Sequence, residues 1–151
     1  MERDQALKFM HDLLRLMLQK NGSDLFITAN FPPAIKIDGK VTPVSNQQLS
    51  TQHTAGLARA IMHDRQAAEF EATRECNFAI SPAGIGRFRV NAFVQQGRIG
   101  VVCRTINTTI PRFEDLNLPP VLQSFVVPMR GLVLLVCCTC SGKSTSMAAM
   151  F

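Results

Sequence analysis

Gly142-Lys143-Ser144-Thr145 follows closely on the apolar run Gly131–Val136. Glycine, lysine and two hydroxyls in that order are the chemistry of a phosphate-binding loop. In such a loop the backbone amides of the turn and the N-terminus of the following helix hold the anion. The ammonium group reaches the outer phosphates, and the first hydroxyl ligates magnesium. On this reading LVLLV supplies a buried strand, Lys143 is the phosphate clamp, Ser144 is the magnesium ligand through its hydroxyl, and Thr145–Met150 opens the helix. Cys137, Cys138, Thr139, Cys140 and Ser141 form the rest of the cradle. The strict pattern G-x-x-x-x-G-K-[ST] requires glycine at 137, where Cys137 stands. A side chain forced into a glycine-only conformation costs about 1–3 kcal/mol. The loop therefore departs from the pattern upstream and keeps it downstream, and the alternative is a chance Gly-Lys-Ser turn.

Other reactive residues are dispersed. His11, His53 and His63 have no metal-ligand spacing and read as solvated helix positions. Glu69, Glu71 and Glu75 read as exposed charges on a helix and its exit, and Asp24 as a cap or turn residue after Gly22-Ser23. Cys137, Cys138 and Cys140 could ligate a soft metal, but a structural zinc site wants four ligands, so Cys76 or Cys103 would have to join them. The cysteine number, five, is odd, which favours reduced thiols over a disulfide framework.

The elements that must position these groups follow from periodicity. Leu7, Met10, Leu14, Met17 and Leu18 predict an amphipathic helix over residues 3–20, stopped by Asn21-Gly22. Strands are expected at Asp24–Thr28, Ala34–Ile37 and Lys40–Val44, the last two joined by an Asp38-Gly39 hairpin turn. Ser50 or Thr51 caps a helix to about His63, and Arg65–Arg74 is a second. Cys76–Ile80, Gly86–Gln95 and Ile99–Ile106 are three further strands. In the middle one Phe88, Val90 and Ala92 take one face, and Arg87, Arg89 and Asn91 the other. Residues 1–106 thus read as an α+β domain, residues 107–120 as a linker with a helical turn at Phe113–Leu116, and Pro119–Val126 as a short helix that opens with prolines. Gly131–Val136 reads as a continuous apolar strand of the kind buried in a parallel sheet.

Composition narrows the function classes. Hydrophobic residues make up 46% of the 151, enough for a core. The longest apolar run near the end, residues 131–138, is too short to span a bilayer, and charges interrupt any signal-peptide pattern at the start. A cytosolic protein is expected. The net charge of +5 suits anionic partners, but without a dense Lys/Arg block, Trp or Tyr, nucleic acid is not an expected one.

Four stretches together carry a family resemblance. VCCTCSGKSTSMAAM resembles the V-x-GATGSGKST-x-x-AAM stretch of the type IV pilus retraction ATPases, the PilT/PilU group of secretion-type motors. GSDLFITANFPPAIKIDGKV (22–41) resembles that family's GSDLH-x-T-x-G-x-PP-x-x-R-x-DG segment. GRFRVNAFVQQGRIGVVCRTI (86–106) resembles GRFRVN-x-F…G-x-V-x-R-x-I, and IPRFEDLNLPPVL (110–122) resembles the linker IP-x-FE-x-L-x-LP-x-x-L. The resemblance implies a PAS-like N-terminal domain over 1–106, a linker over 107–130, and over 131–151 the first strand, P-loop and helix start of a RecA-like ATPase domain. It implies ATP and Mg²⁺ as cofactors, and a hexameric, homo- or hetero-oligomeric ATPase ring. It also implies an inner-membrane pilus platform protein as partner, and a cytoplasmic location peripheral to the membrane. Arg89 and Arg104 become candidate trans arginines toward a neighbouring subunit's phosphates, a role that suits the fixed guanidinium fork. For any one of Arg87, Arg89 and Arg104, a solvated strand face is the alternative. The family's acidic and histidine motifs fall after the loop, beyond Phe151, so the isolated chain is expected not to turn over ATP.

Three functions remain open at this point. The chain is the N-terminal part of a motor subunit, a non-catalytic module that packs into or modulates an active ring, or a metal- or redox-responsive cysteine protein.

Overall fold

A computed structural model describes residues 2–125, 131–136, 138 and 142–150. The chain forms two compact units, Met1–Ile106 and Asn107–Phe151.

The first unit opens with helix α1 (Arg3–Gln19), which buries Ala6, Met10, Leu13, Leu14 and Met17, a stripe at the three-and-four spacing of one helix face. Its end is a Schellman motif: the amide of Gly22 donates to the Met17 carbonyl and that of Asn21 to the Leu18 carbonyl. Asn21, not Gly22, takes the left-handed conformation, at φ 52°. Gly22 is glycine for room. A Cβ there would press on Ile35 Cγ2 and approach Met17 Cγ at 3.0 Å. Gly22→Ala is expected to lower stability by about 1–3 kcal/mol, read as a shifted urea midpoint.

Strands β1 (Asp24–Ile27), β2 (Ala34–Ile37), β3 (Lys40–Pro43), β4 (Glu75–Ile80), β5 (Arg87–Gln95) and β6 (Arg98–Ile106) form one sheet in the order β3-β2-β1-β6-β5-β4, antiparallel throughout. Asp38 and Gly39 both have positive φ, 48° and 81°, as a two-residue type I′ hairpin requires. Helices α2 (Thr51–Ala60) and α3 (Asp64–Thr73) pack with α1 on one sheet face, over Leu25, Ile27, Ile35, Phe78, Phe88, Val90 and Val101.

The helix caps refine the expected boundaries. Ser50 Oγ accepts from the His53 amide at 3.2 Å, while His53 Nδ1 accepts from the Ser50 amide at 3.4 Å, so His53 completes a capping box. Helix α2 stops at Ala60 instead of His63, because Ile61 and Met62 turn into the core and His63 starts the next helix. The His63 amide donates to Gln66 Oε1 at 3.0 Å.

In the second unit, 3₁₀ turns form at Phe113–Leu116 and Pro120–Phe125, and helix α4 covers Lys143–Met150. The expected strand at Gly131–Val136 is not there. Residues 131–136 pair with nothing among the described residues, and Leu132 and Val136 are 82% and 90% exposed. A parallel strand takes both its ladder hydrogen bonds and its burial from neighbouring strands. Apolar composition without such neighbours leaves an irregular segment.

Candidate functional site

On the sheet face opposite the helices, the alternation of β5 and β6 turns Arg89, Asn91, Val102 and Arg104 outward. The register places Arg89 directly across from Arg104, and Arg104 directly across from Asp24 of β1. With Asn77 of β4 these residues line an open cavity of about 360 Å³. Two like charges facing each other across a ladder repel. The third strand answers this: Arg104 Nε donates to Asp24 Oδ1 at 2.8 Å, and Ser23 Oγ donates to Asp24 Oδ2 at 2.8 Å. The Asp24 side chain is 6% exposed, whereas that of Arg104 is 70% exposed. The carboxylate is thus a buried anchor and the guanidinium a presented head. One further polar atom of the lining residues is Asn91 Oδ1, buried and without a hydrogen-bond donor among the described residues.

Asp24 opens the expected strand, and its carboxylate fixes a cation, which corrects only its reading as a cap or turn. The signal that sequence reasoning missed is non-local, because the two partners are 80 residues apart. Arg104→Gln is expected to lower stability by about 1–3 kcal/mol, since it leaves a buried carboxylate short of a donor. Arg89→Gln is expected to leave stability unchanged or raise it by a few tenths of a kcal/mol, because it removes a like-charge contact. Paired urea titrations of the two variants check the asymmetry.

The loop residues lie in the second unit. Gly142 has φ 83°, a conformation that favours glycine, and Lys143 begins α4. The Ser146 amide and Oγ both donate to the Gly142 carbonyl, at 2.8 and 3.0 Å, which closes the first turn. Lys143, Ser144 and Thr145 are exposed. A left-handed glycine followed by a lysine and two hydroxyls at a helix start is a donor set of the kind that holds phosphate and magnesium. Cys137, Thr139, Cys140 and Ser141 lie outside the described residues, and Cys138 is exposed.

Cys76 and Cys103 sit in the buried face of the first unit's sheet. Burial pushes the Cys103 thiol up to about 12. Burial, and secondarily the nearby Glu69 charge, raises Cys76. Neither is placed as an accessible thiolate ligand. Among the described residues no group of three or more His, Cys, Asp or Glu side chains is arranged to hold a metal. His11, His53 and His63 are not gathered into a site of that kind, and Glu69, Glu71 and Glu75 are exposed. Among the described residues no helix is long and apolar enough to cross a membrane.

No family model matches the chain. It is 51% identical over 138 residues to the type IV pilus ATPase PilU of Pseudomonas aeruginosa, which covers 91% of this chain and 36% of that protein. It is 38% identical over 139 residues to the type IV pilus retraction ATPase PilT of the same organism, covering 92% and 40% respectively. Among solved structures, the pilus retraction motor PilT with bound ADP superposes with a TM-score of 0.83 at 30% identity, over 93% of this chain and 41% of that one. The Legionella pneumophila ATPase DotB superposes with a TM-score of 0.67 at 27% identity, over 95% and 41%. The chain spans about two fifths of the length of these relatives. Its six-stranded antiparallel sheet with helices is that of the N-terminal domain of the PilT-like secretion ATPases. The chain belongs to the PilU and PilT family of type IV pilus ATPases and corresponds to the N-terminal part of such a protein.

Proposed function

We propose that this chain is the N-terminal portion of a subunit of a hexameric, ATP-hydrolysing motor that drives pilus retraction and twitching motility. The observation that carries this reading is the 51% identity to PilU across nearly the whole chain. In this reading residues 1–106 are a PAS-like domain, 107–130 a linker, and 131–151 the start of a RecA-like ATPase domain. Residues 137–145 cradle the phosphates of ATP, with Lys143 on the outer phosphates and Ser144 on Mg²⁺. When bound, the magnesium ion neutralises charge that develops on the transferring phosphoryl group. Arg89 and Arg104 reach the phosphates held by a neighbouring subunit, and their presentation side by side on the open sheet face supports that assignment. The assembly sits at the cytoplasmic face of the inner membrane against a pilus platform protein.

By itself the 151-residue chain does not turn over ATP, because cysteines occupy positions where the loop wants glycine. Phosphate release is expected to equal that of a Lys143→Ala control; release above that control overturns this part of the reading. A second reading is a non-catalytic module that packs into an active ring. It is favoured by the self-contained core of Met1–Ile106. Co-purification with a full-length motor ATPase supports it, and failure to associate at micromolar concentrations removes it.

A further inference from the structure

A second cavity, also of about 360 Å³, is built from α1, the α2–α3 connection and the end of β4. We propose that this groove binds an amphiphilic anion: a carboxylate carried on a short apolar body. Arg3, Leu7 and His11 fall at i, i+4 and i+8, so they form one stripe along α1 that makes one wall. The facing wall is the break between α2 and α3, where buried Ile61 and Met62 are followed by exposed His63. Ile80, at the end of β4, adds a third apolar surface.

The chemistry of this lining is one-sided. Among the described residues each ionisable side chain that lines it is basic: Arg3, His11 and His63. Arginine is permanently charged, and an imidazole offers an N–H donor in either charge state. A bare inorganic anion would leave the half-buried Leu7 and Ile80 surface uncovered. A neutral hydrocarbon would leave the basic groups paired with water alone. An apolar body with one anionic head satisfies both, and the volume lies within the range of about 300–1,000 Å³ common for small-ligand sites. None of the described loop residues, nor Arg89 or Arg104, lines this groove, so the inference stands apart from the nucleotide reading.

The test is a titration of the 151-residue chain with octanoate, followed by methyl NMR. Saturable shifts are expected at Leu7, Ile61 and Met62, with a dissociation constant on the order of 1 mM. Arg3→Gln, at an exposed position, and His11→Gln, at a half-buried one, are each expected to weaken binding at least about threefold, and thermal unfolding of the Arg3 variant stays unchanged. The uncharged analogue 1-octanol is expected to bind at least about tenfold more weakly. Equal binding of octanol and octanoate overturns the proposal. So does an absence of saturation by about 10 mM octanoate, or unaltered affinity in both variants.

Discussion

Phe88→Ala is expected to remove about 3–5 kcal/mol of folding free energy. Phe88 has no exposed surface, lies in the core cluster under the helices, and pairs with Ile80 on one side and Thr105 on the other. Its loss opens a cavity beneath β5, the strand whose next residue is Arg89. Domains of this size carry about 5–15 kcal/mol in total, so the substitution consumes a large share. A urea midpoint lowered by at least about 1 M is expected, since slopes for small proteins run about 1–3 kcal/mol per M. A loss below about 1 kcal/mol would mean that the site collapses around the gap or that the ring is not part of the core. The variant is also expected to disturb the Arg89–Arg104 pair, because both arginines depend on the β5–β6 register that the buried face holds.

Alkaline pH is expected to destabilise the first unit through Cys103. The unfolded thiol titrates near 9, whereas the buried one holds its proton to about 12. Between those values the unfolded chain binds fewer protons than the folded one, so stability falls as pH rises. Below pH 9 the contribution is complete; by pH 12 it has declined by about 4 kcal/mol, at 1.36 kcal/mol per unit. Cys76 is raised too and acts in the same direction. The chain has no tyrosine, so no phenol titrates in the same window. Cys103→Ala starts from a lower stability because of the cavity it leaves, but its stability is expected to fall less steeply between pH 9 and 12. Parallel slopes for the two proteins would show that Cys103 does not set the alkaline limit.

Much of the first unit was legible because its signals are local. The α1 stripe, the Asp38-Gly39 turn and the alternation of β5 each depend on residues within a few positions of one another. The capping role of His53 escaped because histidine is an uncommon partner for a serine cap, and its ring only reveals the bond once the helix is formed. Asp24 escaped for a different reason: its partner is set by strand pairing across most of the chain, and nothing near Asp24 hints at Arg104. The Gly131–Val136 reading failed on the difference between composition and context. Valine and leucine favour a strand only where a sheet accepts them, and none does so among the described residues. In the loop, a helix just after Gly142 was readable because it is a short-range feature, but it opens at Lys143, two residues before the expected Thr145.

The strand order also bears on how the molecule is made. β1 lies between β2 and β6, so the first strand synthesised must wait for the last one of its sheet before its second edge is filled. On a ribosome that delivers about 5–20 residues per second, the β1–β2–β3 piece exists for several seconds with one ragged side. Among the described residues the β1–β6 seam is also the strand pairing with the largest sequence separation, and such long-range closures slow folding. Asp24 spends that interval hydrated and acquires its guanidinium partner only as the seam closes, so the ion pair marks the moment at which the nascent sheet becomes whole.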